Sequence, residues 1–166
     1  MKEHINHRIL AIDPTTQGFG FAIIEDPPNL IDWGVAGCKK RNVDCLKRIE
    51  MMIEDYQPTV IVLEDCSRKD SRRCHAVGIF IRKILKLAGK RKIEIHTFSW
   101  EEVQKTFSKV GATTKQEIAT KIASQFPELI PRLPRRREPW MSEDHRMNIF
   151  DAVALAVTFV DFERNL

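Results

Sequence analysis

The 166-residue sequence predicts a single α/β domain: a mixed five-stranded sheet, three antiparallel strands and then parallel ones, with helices on both faces. Three observations carry this reading. The first 38 residues hold three strand-like segments joined by short connections. A continuous run at residues 59–63 (TVIVL), β-branched up to Leu63, suits a strand buried on both faces. From there strand and helix patterns alternate, which implies parallel pairing through right-handed crossovers.

Taken in order, residues 8–12 form a short run, apolar from Ile9 onward, that ends on Asp13, and Pro14 stops the run because proline cannot donate to a ladder. Residues 18–25 alternate loosely and form a second strand. Pro27, Pro28 and Asn29 make a turn into a third strand at 30–38. A helix over 43–56 places Leu46, Ile49, Met52 and Ile53 on one face, and Pro58 ends it. The strand at 59–63 terminates on Glu64. A helix over 71–87 follows, with Val77, Phe80, Ile81, Ile84 and Ala88 as an apolar stripe and Arg82, Lys83, Lys86 and Lys90 as a basic one. Residues 92–98 form the fifth strand. Ser99 with Glu102, and Thr114 with Glu117, have the spacing of capping boxes and open two helices, the second reaching residue 126. Residues 127–139 contain four prolines and four arginines and read as a loop. The last helix spans 144–162.

The composition, 43% hydrophobic and 30% charged, is that of a globular domain and excludes disordered and fibrous classes. The longest apolar run, 152–157, is too short to cross a bilayer, so no membrane partner is expected. The N-terminus has no apolar core of signal-peptide length, and a cytoplasmic location follows as an expectation. Cys38, Cys45, Cys66 and Cys74 form no CxxC pair and are expected as free thiols in a reducing compartment. The net charge is only +4. Yet residues 68–92 carry ten Lys or Arg against one acid, Asp70, a net +9 that leaves −5 for the remainder. A basic segment on an otherwise acidic chain points to a polyanionic partner, against the plainer alternative of a solvated helix face.

Three acids occupy unusual positions. Asp13 and Glu64 each end a buried strand, and Asp151 interrupts an otherwise apolar helix. A carboxylate in such a helix costs several kcal/mol unless it is paired or protonated. Carboxylates on adjacent strand ends can come within roughly 5–7 Å of each other, and a helix crossing that edge can add a third. Converging carboxylates repel one another and call for a hard divalent cation, Mg²⁺ or Mn²⁺. Two such ions, about 3.5–4 Å apart, can drive phosphodiester hydrolysis. Taken singly, each acid has a plainer role: Asp13 as a turn residue, Glu64 paired with an arginine, Asp151 in a structural salt bridge.

Ile9-Leu10-Ala11-Ile12-Asp13-Pro14 followed by Gly18-Phe19-Gly20-Phe21-Ala22-Ile23 resembles the opening hairpin of RuvC-type Holliday junction resolvases, members of the ribonuclease H-like superfamily. Val60 to Glu64 resembles their second acidic strand, Asp151 to Ala156 their C-terminal acidic helix, and Gly111 to Lys115 their glycine-to-lysine segment. The resemblance covers nearly the whole chain in the same order. It implies a ribonuclease H-like fold and a Mg²⁺- or Mn²⁺-dependent endonuclease that resolves four-way DNA junctions with paired nicks. Asp13, Glu64 and Asp151 would be metal ligands and Lys115 a phosphate contact. The partner would be branched DNA, bound by a homodimer with the 71–87 helix as candidate seam, and no small-molecule cofactor is expected.

Two positions depart from the family pattern. Thr15 stands where a glycine usually follows Asp-Pro. Asn148 stands where the family carries an acid or histidine one turn before the last Asp. Asn148 is the first candidate for a fourth ligand by helical register, with Asp144 and His145 as alternates, and Asp144 can equally be a helix N-cap. Arg68, Lys69, Arg72 and Arg73 would lie nearest the metal edge, and Arg135, Arg136 and Arg137 could contact a junction arm. Trp140 and Phe107 are read as core residues, with base stacking the other possibility. Two competing functions are a branched-DNA-binding module of the same fold with weakened catalysis, which Asn148 favours, and an actin-like ATP-binding domain, for which a second phosphate hairpin is missing.

Overall fold

The computed structural model describes residues 7–25, 28–66 and 72–166, without the side chains of residues 41, 42 and 72–74. Strands β1 (Arg8–Pro14), β2 (Gly18–Glu25) and β3 (Asn29–Gly37) form an antiparallel meander. Strands β4 (Val60–Glu64) and β5 (Glu94–Phe98) extend it in parallel, in the order β3-β2-β1-β4-β5. Helices α1 (Leu46–Tyr56), α2 (Arg72–Arg91), α3 (Trp100–Ser108), α4 (Lys115–Gln125) and α5 (Met147–Arg164) complete the fold. The expected mixed sheet with helices on both faces is the one observed.

Strand β1 lies at the centre, and Ile9, Leu10, Ala11 and Ile12 are fully buried. Because successive side chains point to opposite faces, the strands divide their residues between two cores. Leu10, Ile12, Ile61 and Leu63 pack with Ile49 and Ile53 of α1 and Phe80 and Ile84 of α2. Ile9, Ala11, Val60 and Val62 pack with Val103 of α3, Ile118 and Ile122 of α4, and Phe150 and Val153 of α5. Each fully buried Ile or Leu contributes about 1.5–3 kcal/mol.

Several sequence expectations need correction. Strand β1 continues through Pro14, which sits opposite Phe19 at the hairpin mouth, where Thr15 N–H donates to the Gly18 carbonyl at 2.9 Å. Residues expected as loop form a 3-10 helix, Pro127–Arg132, held by buried Leu129; proline in a first helical turn forfeits no hydrogen bond. Helix α5 starts at Met147, not at 144, because the Asp144 carboxylate is engaged by Arg146 and does not cap the helix. Cys38 and Cys45 form a disulfide, contrary to the free-thiol expectation. The end of β3 and a π-type turn, Arg41–Cys45, bring the two Cα atoms to 5.8 Å, within bridging range. Cys66 takes no part in that disulfide, and the Cys74 side chain lies outside the described residues. Phe107 is a core residue as expected, but Trp140 is 81% exposed. Among the described residues no helix is long and apolar enough to cross a membrane.

Candidate active site

The register of the central strands fixes where two acids emerge. Ile12 of β1 lies beside Leu63 of β4 in a parallel pair, so Asp13 and Glu64 come next on adjacent strands, about 4.8 Å apart between strand axes. Alternation puts both on the face of Ile9, Ala11, Val60 and Val62, the face covered by α3, α4 and α5. Asp13 is 5% exposed, one of only two buried polar or charged residues among those described.

A glycine sets the position of the third acid. Gly20 lies directly opposite Asp13 on β2. A Cβ built on Gly20 would stand 2.3 Å from the Asn148 carbonyl oxygen and 2.7 Å from the Asn148 Cβ. Helix α5 therefore rests its first turn against the sheet beside Asp13, and Asp151 follows just under one turn later. Asp151, Asp13 and Glu64 line one cavity of about 500 Å³, together with Lys115, Thr114 and Trp100.

Lys115 reaches this cavity from the first position of α4. Gly111, at φ +80°, turns the chain out of α3, and Thr114 caps α4 through a complete capping box with Glu117. The Glu117 carboxylate also accepts the backbone N–H groups of Thr113 and Thr114, which hold its pKa below the usual carboxylate range. A cation is poorly placed at a helix N-terminus, and here two carboxylates compensate. Lys115 Nζ donates to Asp151 Oδ2 at 3.1 Å and to Glu143 Oε1 at 3.0 Å, and it lies 5.9 Å from the centre of the Trp100 ring. Burial disfavours the charged lysine, but Asp151 and Glu143 outweigh it and raise its pKa above the ordinary value. Burial pushes the Asp151 carboxyl up to about 6, against the opposing pull of Lys115 and with Glu143 and Glu64 adding to the rise.

The donor set is carboxylate oxygen, which suits a hard divalent ion. Asp151 remains above its usual pKa even with an ammonium in contact, chiefly because it is buried. Among the described residues, however, no three His, Cys, Asp or Glu side chains stand in a ligating arrangement. At Asp151 the position of a cation is taken by Lys115 itself.

The other candidates lie elsewhere. Asn148 packs its backbone on Gly20 and does not line the cavity. Asp144 accepts from the Arg146 backbone N–H, Nε and Nη2, and its pKa falls to about 2, chiefly through the Arg146 side chain. His145 is exposed on a different cavity. Arg68 and Lys69, and the side chains of Arg72 and Arg73, lie outside the described residues. Arg135, Arg136 and Arg137 are exposed. Sequence reasoning missed Glu143 and Trp100. Glu143 lies 28 residues from Lys115 in an irregular segment, and no periodicity could pair them; Trp100 directly follows the Ser99 cap, which gave no hint of Lys115.

No protein-family profile and no curated protein matches the sequence. Solved structures do match the fold. Thermus thermophilus RuvC, in complex with a Holliday junction substrate, superposes with a TM-score of 0.72 at 17% identity over 95% of each chain. The yeast mitochondrial Holliday junction resolvase Ydc2 gives 0.65 at 14% identity, over 96% of this chain and 80% of its own. The fowlpox virus resolvase with its substrate Holliday junction gives 0.53 at 12% identity, over 93% and 97%. From β1 to α5, this chain has the RuvC-type, ribonuclease H-like fold.

Proposed function

We propose that the protein is a structure-selective DNA endonuclease that resolves four-way junctions by metal-dependent phosphodiester hydrolysis, acting as a homodimer that makes paired nicks. One observation carries the reading: Asp13, Glu64 and Asp151 come from three separate elements and line one cavity with Lys115, on the fold shared with junction resolvases. Asp13, Glu64 and Asp151 would hold two Mg²⁺ or Mn²⁺ ions, which supply a pair of Lewis acids at the phosphodiester. Asp13 and Glu64 fix the sheet side of the site, since neither strand end can shift without breaking the central pairing. Asp151 supplies the helix side. Lys115, released from Asp151, places its ammonium on a phosphate oxygen, while Glu143 keeps hold of it. Asn148 lies off the cavity and supplies no fourth ligand in this arrangement; Glu143 is the second carboxylate, after Asp151, at the Lys115 ammonium.

The test is cleavage of a four-way junction, a flap and a linear duplex by the purified protein with Mg²⁺ or Mn²⁺. Paired nicks in the junction, absent with Asp13→Asn although the junction is still bound, are the expected result. Absence of junction cleavage with either ion rejects the reading. Junction binding without cleavage, unchanged by Asp13→Asn, establishes instead the DNA-binding module with weakened catalysis.

A further inference from the structure

On the opposite flank of α5 lies a second cavity, of about 290 Å³, whose chemistry is the inverse of the first. It is lined by Arg132, His145, Arg146, Trp33, Gly34 and Ile149, with no carboxylate on its walls. Ile149 faces this cavity and Asp151 faces the acidic one. The two residues are two positions apart, about 200° around an α-helix, so they point to opposite flanks of α5.

The cations here are unequal. Arg146 gives Nε and Nη2 to Asp144, which orients the guanidinium and leaves Nη1 without a hydrogen-bond partner among the described residues. Asp144 offsets that charge, although its carboxylate is not on the cavity wall. Arg132 ends the 3-10 helix that packs through Leu129, and it makes no ion pair among the described residues. His145 is exposed beside them. The result is a concave, net-positive site with a pre-oriented guanidinium, a second guanidinium and the Trp33 ring as an apolar wall.

We propose that this pocket binds a phosphodiester of the DNA backbone, so that the substrate straddles α5 with one phosphate in the acidic cleft and another here. The proposal rests on the nuclease reading and adds a contact that positions the strand. Guanidinium forks match phosphate oxygens bidentately, and such contacts set register on DNA without reading bases.

The experiment measures binding of a labelled four-way junction without divalent ions, by fluorescence anisotropy over a salt series, for the wild type, Arg132→Gln and Arg132→Gln/Arg146→Gln. Each lost phosphate contact should flatten the plot of log affinity against log salt by about 0.9. We expect the single variant to flatten the plot by part of this amount and the double by about 0.9 in all, the value of the one phosphate the pocket holds. Arg132 is exposed, so the single variant keeps the test valid if the double variant fails to fold. A wild type that binds and cleaves, with salt slopes unchanged in the variants, overturns the pocket assignment alone. A wild type that does not bind junctions overturns both readings. Calorimetric uptake of inorganic phosphate that depends on Arg132, with DNA slopes unchanged, marks a free-anion site and also overturns the assignment.

Discussion

The two faces of the central strands are built from alternate residues of the same segments, yet they end differently. On the α1 and α2 side the apolar series runs to the strand ends, through Ile12 and Leu63. On the α3, α4 and α5 side it stops one residue further on at Asp13 and Glu64. One face is a conventional core; the other is a core for most of its length and a charged cleft at its edge. The difference shows how a shift of a single residue along a strand exchanges packing for chemistry.

The sharpest way to break this contrast is at Asp13. Asp13→Asn should lower junction cleavage at least about 1000-fold, about 4 kcal/mol of transition-state stabilisation, with little change in junction affinity or in chemical denaturation. On the opposite face Leu63→Ala should do the reverse. It should cost about 2–5 kcal/mol of stability, read by urea titration, while the folded fraction keeps its cleavage rate. Gly20→Ala lies between the two. Its methyl group would stand 2.3 Å from the Asn148 carbonyl, an overpacking cost of about 1–3 kcal/mol, and displacing α5 should also slow cleavage. Both effects should appear together in melts and rates.

A smaller effect concerns pH. Asp151 holds its proton up to about 6 in the folded protein, against 3.8 for an unperturbed Asp. The folded state therefore binds this proton more tightly than the unfolded state. The associated stability is full below about pH 4 and is lost as pH rises through about 6. In metal-free melts, Asp151→Asn should gain on the wild type between those values and keep the gain at pH 7.5; a constant difference across that range contradicts the burial of this carboxyl. Smallest in stability is Trp140→Ala, at 81% exposure, expected within about 0.5 kcal/mol of the wild type. If its ring stacks on a junction base, affinity should fall about fivefold or more.

The three acids were legible in the sequence because each violates its local pattern: two are carboxylates closing apolar strands, and one is a carboxylate inside an apolar helix. Lys115 was legible only through the resemblance of the Gly111 to Lys115 segment to that of the resolvases. The meander and the two parallel strands were legible from alternation and β-branching. What was not legible depends on chain paths through irregular segments. Glu143 reaches Lys115 from the irregular segment between the 3-10 helix and α5. Trp140 is exposed by the same path, although its composition suggested core. The Cys38–Cys45 bond needed the turn geometry between β3 and α1, which no spacing rule supplies. Asn148 had the right helical register for the cleft, yet the close approach of α5 to the sheet turned it to a packing role.

That close approach has a broader consequence. The hydrogen atom that serves as the side chain of Gly20 is the gauge block between sheet and helix: it sets how far apart the two halves of the carboxylate set are held. Under the proposed activity the spacing of the site therefore depends on a residue with no functional group, two strands' width from Glu64, and a change there would detune the site without touching any of its charges.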